Sequence, residues 1–170
     1  INLKYMNIDF NGHTEIHALQ LCLFSENLQG LTSLKNLTLK FNGLNKITDD
    51  GFIVFSTALK NLIQLSTLTL DLSYQVKLTN KAIVSLASAI ENLNKLAELS
   101  INFLYQNLNK EGTDNLGLAL QKLSSLTAIS LNFTCQHLRG DGDKFLAIFK
   151  ALDGMKLLKK INMILPSRDC

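Results

Sequence analysis

Leu34-Lys35-Asn36-Leu37-Thr38-Leu39-Lys40-Phe41 is one of six segments in this chain built on a single template. Its apolar residues occupy the first, fourth, sixth and eighth places, and the same places are apolar in residues 3–10, 65–72, 96–103, 126–133 and 158–165. Successive segments begin 31, 31, 31, 30 and 32 residues apart. A fixed step of this size is the mark of a repeat architecture. From the fourth place onward apolar and polar side chains alternate, as a strand with one buried face requires.

Outward from each segment the pattern changes period. An apolar anchor follows each of the first five strands, at Ile16, Ile47, Leu78, Leu108 and Leu138. Apolar residues then recur at steps of three and four, as in Phe52, Phe55, Leu59, Leu62 and in Ile83, Leu86, Ile90, Leu93. That spacing puts one apolar stripe on a helix. Thr48, Thr79 and Asn109 stand where a side-chain oxygen would accept from the first free amides of a helix. The single proline, Pro166, falls after the last strand. One strand and one helix cannot bury their apolar faces alone, but stacked units can share a core between a parallel sheet and a helical layer.

The stretch from Leu34 to Leu39, followed by Ile47-Thr48-Asp49-Asp50-Gly51-Phe52, resembles the ribonuclease-inhibitor-like class of leucine-rich repeats. The resemblance runs over residues 3–165. It implies an α/β solenoid of horseshoe form, with a parallel sheet of about six strands on the concave side and about five helices on the convex side. Residues 1–170 are then one leucine-rich-repeat domain. These repeats serve many unrelated roles, so the resemblance says little about function. Two departures stand out. The step exceeds the 20–29 residues usual for such repeats. The asparagine expected after each strand is present as Asn11 and Asn42 but replaced by Ser73, Leu104 and Thr134. Bulged, irregular loops are therefore expected after the third to fifth strands, where Gln75, Gln106 and Gln136 recur at one shared position. The chain opens on a strand and closes just beyond one with no polar capping unit. The expectation is a fragment of a longer array, or ends covered by a partner.

Composition narrows the function classes. The 170 residues are 46% hydrophobic and 18% charged, with a formal net charge of +3. Arg139 and Arg168 are the only arginines, and phosphate or guanine recognition favours the arginine fork. Nucleic acid is thus a poor partner. Cys22, Cys135 and Cys170 are odd in number and far apart, which predicts reduced thiols in a reducing compartment. No apolar run reaches the roughly 18 residues that span a bilayer, and no leader pattern is present. The sequence therefore predicts a soluble intracellular chain, cytoplasmic or nuclear, with no membrane partner.

In such a repeat the outward strand positions line the open sheet face. The candidate partner-binding surface comprises Tyr5, Asn7, Asn36, Thr38, Lys40, Thr67, Thr69, Asp71, Glu98, Ser100, Asn102, Ser130, Asn132, Lys160 and Asn162. Asp9, Ala128 and Ile164 complete the three columns. The middle column, Asn7, Thr38, Thr69, Ser100, Ser130 and Asn162, is a ladder of small hydrogen-bonding side chains. Such residues solvate an exposed sheet and support cross-strand pairs; they also form a polar docking surface. Of the aromatic and arginine anchors that dominate interfaces, only Tyr5 stands in these columns.

Reaction chemistry is not legible. His13 and His17 would share a helical face only if their segment were helical, and the repeat register places it in a loop and at a helix cap. Cys135 and His137 are two ligands where a zinc site needs four, and a packed loop cysteine explains the first. Arg139-Gly140-Asp141-Gly142-Asp143 reads as a turn leading into a helix, since a calcium loop needs further oxygen ligands. The lysines between Lys150 and Lys160 are ordinary solubilising charge. No cofactor and no small-molecule substrate is called for. The reading is a non-catalytic protein-interaction scaffold. Alternatives are a GTPase-activating type of regulator, for which Arg139 is the sole loop arginine, and a ubiquitin-ligase substrate receptor, which needs an adaptor-binding segment outside this chain.

Overall fold

The computed structural model describes residues 2–11, 17–43, 47–106, 108–135 and 143–166. Each repeat segment holds a five-residue strand: β1 (Tyr5–Asp9), β2 (Asn36–Lys40), β3 (Thr67–Asp71), β4 (Glu98–Asn102), β5 (Ala128–Asn132) and β6 (Lys160–Ile164). The template is longer than the strand because its outer apolar places steer the chain into and out of the core. Leu34 closes a turn by donating its amide to the Leu31 carbonyl, and Leu65 and Leu96 do the same with Leu62 and Leu93, all at 2.9 Å.

The six strands form one parallel sheet in chain order, β1 to β6. The register is set by the repeat. Leu37, Leu68, Leu99, Ile129 and Ile161 are successive partners in one column, and the first four are 2% exposed or less. A one-residue slip would turn every such side chain to water. Full burial of each contributes roughly 1.5–3 kcal/mol relative to exposure.

Between the strands run α1 (Ala18–Leu28), α2 (Asp49–Leu59), α3 (Asn80–Ile90), α4 (Lys110–Gln121) and α5 (Leu146–Asp153). Among these elements, close backbone approach joins only consecutive strands and consecutive helices. The helical stripes, Phe52, Phe55 and Leu59 of α2 and Ile83, Leu86 and Ile90 of α3 among them, join the inward strand residues in one core. The anchors Ile47, Leu78 and Leu108 are buried there too. Phenylalanine rings queue along the strand ends. Phe10 stacks on Phe41 and Phe103 on Phe133, each pair with centroids 5.3 Å apart, and Leu72 interrupts the file.

Four expectations need correction. Where the turns after β2 to β5 are described they repeat rather than vary: Gly43, Tyr74, Tyr105 and Cys135 share one left-handed conformation, with φ of 71°, 59°, 58° and 59°, while Gln136 lies outside the described residues. The last outward residue of the strand fixes this turn. Asp71, Asn102 and Asn132 each accept from the backbone amide two residues on, at 3.0, 3.1 and 2.9 Å, the bond that aspartate and asparagine make in turns. Thr48 stands at the N-cap of α2 without a side-chain cap bond, whereas Thr79 and Asn109 cap α3 and α4. Cys135 is disulfide-bonded, its partner lying outside the described residues, and Cys22 is a free thiol. That bond displaces the reading of Cys135 as a simple packed thiol and removes the cysteine argument for a reducing compartment.

Candidate functional site

The sheet face opposite the helices carries three rows of side chains. Strand register aligns Tyr5, Asn36, Thr67, Glu98, Ala128 and Lys160 in the first, and Asn7, Thr38, Thr69, Ser100, Ser130 and Asn162 in the second. Asp9, Lys40, Asp71, Asn102, Asn132 and Ile164 form the third. The sequence-derived columns and the structural rows therefore coincide.

These rows differ in what they leave available. A shallow depression of about 200 Å³ lies over β3 to β6, lined by Thr67, Thr69, Glu98, Ser100, Ala128, Ser130, Lys160 and Asn162, with the strand residues Leu68, Leu99 and Ile129 also touching it. It exists because the central positions carry only methyl, hydroxymethyl and hydroxyethyl groups. Asn162 closes one end by donating to Ser130 Oγ at 3.2 Å. Glu98 and Lys160 stand two strands apart with Ala128 between them. Strand spacing puts their backbones about 9.6 Å apart, and neither charge is in an ion pair.

Other candidates are engaged elsewhere. Lys40 pairs with Asp9 at 3.1 Å. Asp71, Asn102 and Asn132 hold the turns, and Asn102 also donates to Asp71 at 3.1 Å. Asn7, Asn36 and Thr38 lie on the sheet beyond the depression, and Tyr5 stands exposed on the edge strand.

The sequence reading missed one feature, at the loops that continue this face. Tyr74 and Tyr105 stack with ring centroids 4.7 Å apart and planes 25° from parallel, and both are nearly half exposed. Each holds the left-handed backbone that Gly43 holds, one unit before Tyr74 and two before Tyr105. A bulky residue there costs of order 1–3 kcal/mol. The signal was present in the repeat alignment: aromatic side chains at a position whose first copy is glycine.

Of the rejected histidine, cysteine and aspartate constellations, only His17, Cys135 and Asp143 fall among the described residues. His17 is the N-cap of α1, its amide donating to Gln20 Oε1 at 3.0 Å in a capping box. Among the described residues no three His, Cys, Asp or Glu side chains gather as metal ligands. No described helix is long and apolar enough to cross a membrane. His13, Ile16, Gln136, His137, Leu138, Arg139 and Asp141 lie outside the described residues.

No family model matches the sequence, and no curated protein matches it. Among solved structures the chain is similar to "Leiomodin-1 Actin-Binding Site 2 (ABS2)", with a TM-score of 0.59 and 18% identity over 85% of this chain and 77% of that one. At this identity the likeness speaks to fold. With the six-stranded parallel sheet and five helices it defines a leucine-rich-repeat-like α/β protein.

Proposed function

We propose that this chain is a non-catalytic protein-interaction module. In this reading it is one leucine-rich-repeat domain of the ribonuclease-inhibitor-like class, with the open sheet face as the concave side of a horseshoe. The observation that carries the reading is the depression over β3 to β6, floored by hydroxyl groups and flanked by the unpaired charges of Glu98 and Lys160. Apart from the Asn162–Ser130 pair, a partner segment entering there meets hydroxyl groups that are not bound to one another, and its own acid and base find opposite charges about two strands apart. The solved neighbour's name adds support, since it is a binding site for a protein.

The test replaces Thr38, Thr69 and Ser100 with lysine, which crowds three like charges along one row. Affinity capture from native lysate with wild type should recover partners that the triple variant loses, while circular dichroism shows the fold unchanged. Identical partner sets would remove the sheet face from consideration. Actin, taken from the neighbour's name, is the first purified probe, by co-sedimentation with both forms.

A further inference from the structure

We propose that the Tyr74–Tyr105 stack is a second contact point, with an open place beside Tyr74 that takes the planar guanidinium of an arginine on a protein partner. The proposal rests on the protein-binding reading but not on the sheet face as the surface used.

The argument begins with the column in which these rings stand. Gly43, Tyr74, Tyr105 and Cys135 occupy equivalent turn positions in consecutive units. Neighbouring strands lie about 4.8 Å apart, and the two rings are 4.7 Å apart, so the stack propagates along the repeat axis. The face of Tyr74 turned away from Tyr105 therefore looks toward the unit of Gly43. Gly43 contributes no side chain, and among the described residues no heavy atom lies within 4 Å of where its Cβ would stand. Among the described residues the column therefore carries no side chain at the Gly43 place, beside the outer face of Tyr74.

Charge selects what fits. The face of an aromatic ring is electron-rich and attracts cations, arginine above all because its planar group can also stack. The Asp71 carboxylate, three residues before Tyr74, accepts from the Ser73 amide at 3.0 Å, from Ser73 Oγ at 2.6 Å and from Asn102 Nδ2 at 3.1 Å. None of these donors is a cation. Lys40, its register neighbour on β2, is turned to Asp9. A guanidinium at the Gly43 place would meet a π face and a carboxylate lacking a cation. A neutral aromatic ring would use only the first. Lys77, past the exposed Val76 in the same loop, favours an acidic group, and the experiment distinguishes the two.

Panning a random phage-displayed peptide library against the chain and against the double variant Tyr74→Gly, Tyr105→Gly tests this. Glycine at both positions reproduces what Gly43 does in its own turn and relieves the left-handed strain, so the variant should fold with a Tm no more than about 3 °C below wild type. The expected result is wild-type selection of peptides with arginine at a fixed place, binding the variant at least about tenfold more weakly. Peptides enriched in acidic or purely aromatic residues, or equal binding to both proteins, overturn the proposal. Peptides lost on the Thr38, Thr69 and Ser100 lysine variant but kept on the glycine variant sink it while leaving the sheet-face reading intact. Should the glycine variant unfold, changing arginine to citrulline in the selected peptide keeps the plane and removes the charge. A tenfold loss on wild type then supports the proposal, and equal binding overturns it.

Discussion

Gln75 and Gln106 are each 1% exposed at the same place in consecutive turns. Gln106 Nε2 donates to the Leu72 carbonyl at 2.7 Å, and Gln75 Nε2 donates to the carbonyl of Phe41. Each reaches back 34 residues to an acceptor that lies just past the end of the previous strand. A buried carbonyl left without a donor costs about 1–3 kcal/mol. Gln106→Leu puts an apolar side chain of similar size in place and removes the donor, but also the buried Oε1 that has no partner, so it should lower unfolding stability by about 1 kcal/mol, the lower end of that range. Urea denaturation should show the midpoint falling at unchanged slope; an unmoved midpoint would mean that Leu72 finds another donor. The recurrence of these glutamines was visible in the sequence, yet it read as loop irregularity. Apolar periodicity reveals which faces are buried, and a polar side chain that turns inward to serve a backbone group leaves no mark in it. Nothing about tyrosine itself favours positive φ, so the conformation of Tyr74 and Tyr105 could be inferred only by aligning them with Gly43.

At the scale of elements, strands and helices were almost wholly legible, because Leu37, Leu68 and Leu99 or Phe52, Phe55 and Leu59 announce their period directly. What the periodicity could not give is how closely the helices approach. A Cβ at Gly117 would stand 2.6 Å from the carbonyl carbon of Ala147 and 2.8 Å from its oxygen, and one at Gly51 would stand 2.9 Å from the Ala18 Cα. These glycines let α4 meet α5 and α2 meet α1 across backbone. Propensity alone says that Gly117→Ala should stabilise a helix by about 1 kcal/mol. Contact says otherwise, since overpacking of this kind costs about 1–3 kcal/mol. The obstacle is main chain rather than a flexible side-chain tip, so the net effect should be a loss of stability. Ser88→Ala, on the exposed side of α3, is the control and should be neutral or slightly stabilising. Thermal unfolding of both variants decides it: a higher Tm for Gly117→Ala would show that α5 can retreat without cost.

Across the whole molecule, each unit leans only on the units beside it, so stability should follow position along the stack rather than distance from a central point. One core column makes this concrete. Ile129 and Ile161 are register partners, but Ile129 is 2% exposed and Ile161 is 55% exposed, because β6 has a neighbour on one side in the sheet order. The same chemical deletion should therefore have unequal consequences. Ile129→Ala removes methyl groups from a filled interior and should cost about 2–5 kcal/mol. Ile161→Ala removes side-chain area that water already touches, so it should cost less than half as much as its partner. Amide exchange should show the same order without mutation: slowest in β3 and β4, with two neighbours each and further units beyond them, and fastest in β1 and β6. Uniform protection across all six strands would contradict this, because it would require the molecule to open only as a single cooperative block. Equal costs for the two alanine substitutions would contradict it independently, by showing that something covers Ile161 in solution as fully as β6 covers Ile129.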